Sequence, residues 1–273
     1  MTRSTALPDP RRASPDVPLA IEINNLSMRY TAASGDSVLA VDDVSFSVRQ
    51  KEFLCVVGTS GCGKTTLLRI IAGLAKHTAG SAMLRGQPIA GPSADVGIVF
   101  QGAVLLPWRT VLENVMIPAI VLRLDRKRSL QRAHDMLALV GLADFANAYP
   151  KELSGGMQQR VSIARALVHN PTLLLMDEPF GALDDMTRET MNLELQRIAR
   201  DAETTVVFIT HSIQEAVFLG DRVVVMTPRP GRIAAVLDID LPRPRDLDVM
   251  ATEPFGHHVR SIRTLLNARG LTH

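Results

Sequence analysis

The stretch Gly58-Thr59-Ser60-Gly61-Cys62-Gly63-Lys64-Thr65 constrains this chain more than any other. It fits the pattern G-x-x-x-x-G-K-[ST], which needs a buried strand before it and a helix after it. Both flanks are present: the apolar run Phe53–Val57 precedes the loop, and helical spacing from Thr65 to Leu74 follows. In that setting the glycines let backbone N–H groups converge on phosphate oxygens, and the helix N-terminus adds a favourable dipole. Lys64 would reach the β- and γ-phosphates, and the Thr65 hydroxyl would ligate Mg²⁺. The plain alternative is a Gly-rich turn that happens to contain Lys and Thr, and it leaves both flanks unexplained. The loop therefore predicts a bound nucleotide, ATP first among them.

The rest of the chain agrees with such a core. Short apolar runs at Val96–Phe100, Leu173–Met176, Val206–Ile209 and Val223–Met226 suit strands buried on both faces of a parallel sheet. Ile21-Glu-Ile23 and Val44-Ser-Phe46-Ser-Val48 alternate instead, as half-buried strands do. Helical patterns at Val161–Val168, Met186–Ala202 and Ile213–Leu219 separate the buried runs, which is the alternation of an α/β fold. From Gly102 that alternation stops. Leu130, Ala133, Leu137 and Val140 recur at helical spacing, so a helical subdomain is expected as an insertion over about residues 102–165. Residues 1–19, rich in Pro, Arg, Ser and Ala, read as a disordered extension. The main domain is expected over residues 20–245; the stretch after Thr227, rich in Pro and Arg, is expected to add a short strand and a helix, the helix within residues 246–273.

Bulk properties exclude several classes. At 273 residues, 46% apolar and 21% charged, the chain has the composition of a globular protein with a full core. A formal net charge of +2 gives no reason to expect nucleic acid as a partner. Cys55 and Cys62 are too few for a disulfide framework or a metal cage, which is compatible with a reducing cytosol. The N-terminus has no apolar signal segment, and no run of about 18 apolar residues could span a bilayer. Any membrane role must come through a partner.

Two further constellations carry chemistry. Leu173-Leu-Leu-Leu-Met-Asp177-Glu178-Pro179 is an apolar strand ending in two carboxylates, at the edge of a parallel sheet where ligands bind. Asp177 is placed to hold Mg²⁺, and Glu178 to polarise the attacking water as general base. The plain alternative is a helix start, since acids favour first turns. Leu153-Ser154-Gly155-Gly156-Met157-Gln158-Gln159-Arg160 then offers a hydroxyl, two amides without side chains and a helix N-terminus. That is a second anion site, although in isolation it also reads as an ordinary N-cap. One ATP cannot use both sites from one chain if they lie on different subdomains. Two chains facing each other resolve the conflict.

With these three elements the sequence, from about Ile21 to Arg245, resembles the ATP-binding cassette (ABC) subunits of membrane transporters. The resemblance implies a P-loop NTPase (RecA-like) core with an N-terminal antiparallel β-subdomain and an inserted α-helical subdomain. It implies that ATP and Mg²⁺ lie on the loop from Gly58 through Thr65 and on Thr66. Tyr30 matches the aromatic that stacks on adenine. Gln101 matches the loop glutamine that senses Mg²⁺ and the attacking water. Ser154, Gly155, Gly156 and Gln158 match the signature that reaches the nucleotide of the opposite chain. Asp184, in Ala182-Leu183-Asp184, matches the loop that contacts that chain, and His211 matches the switch histidine at the γ-phosphate. Glu178, His211, Gln101 and Lys64 are thereby the expected catalytic set, with Thr65, Gln101 and Asp177 toward the metal. Many relatives carry an acid after the loop glutamine, where this chain has Gly102.

The resemblance also implies a homodimer of ATPase subunits on the cytoplasmic face of the inner membrane. Its partners would be two transmembrane permease subunits and, indirectly, a solute-binding protein. Leu105-Leu-Pro-Trp108-Arg-Thr-Val-Leu-Glu-Asn-Val, Met226-Thr-Pro-Arg-Pro-Gly-Arg-Ile233 and Asp240-Leu-Pro-Arg-Pro-Arg245 resemble importers of nitrate, sulfonates, taurine and bicarbonate. Cargoes such as pyrimidine precursors or aromatic acids stay open. A DNA-repair cassette would need a coiled-coil or zinc-hook insertion, a translation-associated one a second cassette, and a small-molecule kinase would lack the signature. The remaining histidines match nothing in the pattern, and the basic cluster Arg123, Arg126, Lys127, Arg128 and Arg132 reads as a solvated helix face.

Overall fold

The structure, a computed structural model, describes residues 17–31 and 36–267. The extension expected over residues 1–19 lies outside the described residues as far as residue 16, and Leu19 already belongs to a strand. The last six residues of the expected tail also lie outside them.

Two sheets organise the described residues. The first is antiparallel: β1 (Leu19–Thr31), β2 (Ser37–Arg49), β4 (Ala79–Leu84) and β5 (Gln87–Pro88), in the order β2-β1-β4-β5. The second holds β3 (Phe53–Val57), β6 (Val96–Val99), β7 (Leu173–Asp177), β8 (Thr205–Thr210), β9 (Arg222–Met226) and β10 (Ile233–Asp238). Its order is β10-β9-β3-β8-β7-β6, with β10 antiparallel and every other pairing parallel. Every residue of β3, β7, β8 and β9 is buried, as continuous apolar runs require between two covered faces. The architecture is that of a P-loop NTPase.

Among the described residues, seven α-helices accompany the sheets: α1 (Lys64–Ile71), α2 (Val111–Val121), α3 (Arg126–Leu139), α4 (Gly155–Leu167), α5 (Asp185–Asp201), α6 (Ile213–Leu219) and α7 (Glu253–Asn267). Helices α2, α3 and α4 fall between β6 and β7 in the chain. Ala133, Leu137 and Val140 are buried as the spacing predicts, whereas Leu130 is exposed. Helix α1 is shorter than its pattern: it stops at Ile71 because Gly73 turns into the left-handed region at φ +72°, where a Cβ would strike the Gly91 carbonyl.

The helical segment is tied to the strand edges that matter for the site. Gln159 of α4, almost fully buried, donates to the Phe100 carbonyl at 2.9 Å. Arg165 of α4 donates to the Ala103 and Val104 carbonyls at 2.9 and 2.8 Å. The loop carrying Gln101 is therefore fastened to α4 on both sides of the glutamine. Buried Asn114 of α2 holds the next stretch through Leu106, Arg109 and Thr110. Val104 and Trp108 remain exposed, the latter at 70%.

Candidate active site

The phosphate loop leaves the carboxyl end of β3, turns through Gly61 and Gly63 at positive φ, and opens α1. Gly63 has to be glycine on two counts: its φ is +96°, and a Cβ would meet the Ala40 carbonyl at 2.8 Å. Lys64 then folds back over the loop. Its ammonium, on a side chain only 6% exposed, donates to the Gly58 carbonyl at 2.9 Å and the Thr59 carbonyl at 3.2 Å. The cation is thus held in place by the turn that it serves.

Around it lies a cavity of about 310 Å³. Ser60, Gly61, Gly63, Lys64, Thr65 and Thr66 supply its loop side. Gln101, Glu178 and His211 enter from the ends of β6, β7 and β8, and Tyr30 from the end of β1. The Tyr30 hydroxyl lies 3.2 Å from the Thr66 hydroxyl, and the residue is exposed at the cavity wall.

Glu178 collects the polar contacts. His211 Nδ1 lies 3.1 Å from Glu178 Oε2, Gln101 Nε2 donates to the same oxygen at 3.5 Å, and Lys64 Nζ stands 3.8 Å from Oε1. Its backbone sits in the left-handed region at φ 46°, uncommon for a residue with a side chain, and is held there by its N–H donating to Ile209 at 2.9 Å. Asp177 lies deeper, at the last position of β7. Burial pushes its carboxyl above the usual range, and a hydrogen bond from the Thr65 hydroxyl partly offsets that. Thr65 and Asp177 are hard oxygen donors side by side. This suits Mg²⁺, which takes few protein ligands and completes its shell with phosphate and water.

Other predicted residues do not line this cavity. Gly58 and Thr59 act through their carbonyls on Lys64. Cys62 is buried, and burial pushes its thiol up, so it contributes backbone only. Ser154 caps α4 by accepting from the Met157 N–H at 3.2 Å. Gly155 and Gly156 follow it, away from the cavity. A Cβ on Gly156 would come within 3.2 Å of Leu183 and 3.3 Å of the Ala182 carbonyl, so α4 begins against the loop that ends in Asp184. Gln158 turns back to the Pro150 and Leu153 carbonyls, and Asp184 caps α5 through Thr187. Sequence reasoning missed Val38, Ala40 and Arg229, which also line the cavity. Val38 and Ala40 belong to no motif, and Arg229 lies in the stretch Met226–Ile233, which drew notice only for its likeness to one importer group.

A family model described as ABC transporter matches residues 41–181. A taurine import ATP-binding protein of Rhizobium johnstonii is 48% identical over 223 residues, covering 82% of this chain and 85% of that protein. A bicarbonate transport ATP-binding protein of Synechocystis sp. is 44% identical over 244 residues, covering 88% and 86%. Among solved structures, a dimeric post-hydrolysis state of an ATP-binding cassette bound to ADP and phosphate matches with a TM-score of 0.74 at 32% identity. That match covers 81% of this chain and 100% of the other.

Proposed function

This chain belongs to the ABC transporter family as an ATP-hydrolysing subunit, and on that premise we propose that two copies of it energise uptake of a small anionic solute. The observation that carries the reading is the separation of two anion-binding elements. The phosphate loop lines the cavity, whereas Ser154, Gly155 and Gly156 open α4 outside it. Two chains face to face unite them, each phosphate loop receiving the second copy's Ser154 and Gly156. The dimeric state of the solved relative supports that arrangement.

Within one such site Tyr30 stacks on the base, and backbone amides from Gly61 to Thr66 hold the phosphates with Lys64. Thr65 and Asp177 hold Mg²⁺, which when bound neutralises charge on the phosphates. Glu178 takes the proton of the attacking water, and its oxygen is aimed by His211 and Gln101. The developing charge on the transferring phosphoryl is met by Lys64, His211 and the second copy's α4 N-terminus. Asp184 meets the opposite chain beside that terminus.

Residues 20–245 form the ATPase domain in this reading, with residues 102–165 as the helical insert that moves when the dimer closes. Among the described residues no helix is long and apolar enough to cross a membrane. The chain works from the cytoplasmic face, docked on two permease subunits. Val104 and Trp108 in the stretch after Gln101, and Ile120 and Val121 at the end of α2, are exposed apolar side chains suited to grip them. A solute-binding protein on the other side delivers the cargo. Taurine and bicarbonate, carried by the relatives' systems, set the class as small oxyanions.

The test is ATPase activity of the chain reconstituted with its permease in liposomes, with binding protein loaded in turn with taurine, another sulfonate, nitrate or bicarbonate. Stimulation by one of these oxyanions is expected. Absence of ATP hydrolysis, or stimulation only by an uncharged solute, would refute the proposal.

A further inference from the structure

The turn between β9 and β10, residues 227–232, lies directly against the phosphate loop. Gly231 N donates to the Ala40 carbonyl at 3.0 Å, and Asp42 N donates to the Gly231 carbonyl at 2.9 Å. Arg232 is ion-paired with Asp42, and the Thr227 hydroxyl accepts from the Arg232 N–H at 3.0 Å. Contact with the loop leaves no room for a side chain. A Cβ on Gly231 would fall 1.9 Å from the Cys62 carbonyl, and one on Gly58 would fall 3.2 Å from Met226 Cβ. The turn is therefore fixed relative to the loop, and what it presents at its tip is held in register with the site.

What it presents is Arg229. Its guanidinium lines the same cavity as Lys64, with Nη2 3.8 Å from where a Cβ on Gly61 would stand. The residue is exposed and, among the described residues, has no hydrogen-bond or ion-pair partner for its side chain. The other full charges on the cavity wall oppose each other, Lys64 standing 3.8 Å from Glu178, and His211 adds charge only when protonated. A polyphosphate brings several negative charges into this space. Arg229 is the cation left unmatched to meet them, and its planar fork suits phosphate oxygens.

We propose that Arg229 is a second phosphate-binding cation of the nucleotide site, reaching the polyphosphate across Gly61 from the β9–β10 turn. The proposal rests on the reading of the cavity as the ATP site and adds a residue that belongs to none of its motifs. Lys64 is locked to the loop that it serves. Arg229 comes from a different element, so the length and residues of this turn tune nucleotide affinity separately from the loop itself.

The test is titration calorimetry of ADP into the full chain, kept dilute enough to elute as a monomer so that no second copy contributes. R229A is compared with R229K and with the wild type. R229A is expected to weaken ADP about tenfold, the scale of one charge-assisted hydrogen bond. R229K should recover part of the loss, and added salt should shrink the difference. An exposed tip residue should leave the melting temperature unchanged. Wild-type ADP affinity in R229A overturns the proposal. An affinity loss that is unaltered by salt and not eased by Lys overturns it too, because the contact would then not be one of charge. A wild-type chain that binds no ADP overturns the nucleotide reading and the proposal together, so the two failures are distinguishable.

Discussion

His211 and Glu178 form one unit: His211 Nδ1 lies 3.1 Å from Glu178 Oε2, across the cavity mouth between the ends of β8 and β7. The imidazole is 67% exposed and the carboxylate 20%. The contact therefore fixes a half-buried base with a residue that a nucleotide or a second chain can still reach. Lys64 and Gln101 approach the same carboxylate, which leaves it few orientations.

Replacing Glu178 with Gln keeps the shape and the hydrogen bonds but removes the base. ATP hydrolysis by E178Q should fall about 10²- to 10⁴-fold while nucleotide affinity stays within a few-fold of wild type. Steady-state phosphate release and equilibrium titration measure the two quantities. Wild-type turnover in E178Q would rule out Glu178 as the base.

Glu215 lies behind this unit, buried on α6, where it accepts from the Thr210 hydroxyl and faces Arg188 Nε at 3.6 Å. Burial pushes its carboxyl above the usual 4.5, and the Thr210 bond and Arg188 only partly offset that. An acid whose folded-state pKa is raised adds its stability in full below the unfolded value and loses it as pH rises through the folded one. The melting temperature of wild type minus that of E215Q should therefore decline from about pH 4.5 upward. A difference that grows with pH would show that Arg188 outweighs burial.

Arg245 fastens the segment after β10 to the core. Its buried guanidinium donates to the carbonyls of Val217, Phe218 and Gly220 at 2.8–2.9 Å, and of Ile239 and Leu241 at 3.2 Å. Burial, the neighbouring Arg243 adding to it, pushes its pKa down to about 10. R245A would leave several of these carbonyls buried and unpartnered, at about 1–3 kcal/mol each where no water enters. A loss of about 3–5 kcal/mol in urea unfolding is expected, and a change under about 1 kcal/mol would mean that water replaces the guanidinium.

The parallel core was legible because Phe53–Val57, Leu173–Met176 and Val206–Ile209 are continuous apolar runs, and all of them are buried. Strands β1 and β2 were legible only in part. Asn25 and Asp43 take positive φ, interrupt the alternation, and are joined by an Asn25 Nδ2 to Asp43 Oδ1 bond of 2.8 Å. Strand β4 gave almost no signal, since only Ala82 of Ala79–Leu84 is buried. At the site, residues within motifs were legible, because a phosphate loop and an Asp-Glu strand end impose their own spacing. Arg229 was not. It reaches the cavity through the packing of a turn on Cys62 and Ala40, a relationship between distant segments that no local pattern encodes. Arg245 drew notice in the sequence only through resemblance, and its contacts supply the physical reason for its presence.

The central claim is that Ser154 and the phosphate loop belong to one site built from two chains. Cysteines placed at Ser60 and Ser154 test it most directly, in a Glu178→Gln background with Cys62→Ala to remove the native loop thiol. Oxidation with ATP and Mg²⁺ should give a disulfide-linked dimer on a non-reducing gel, and oxidation without nucleotide should give little. A chain that stays monomeric with ATP, or that forms the bond within itself, would contradict the shared site.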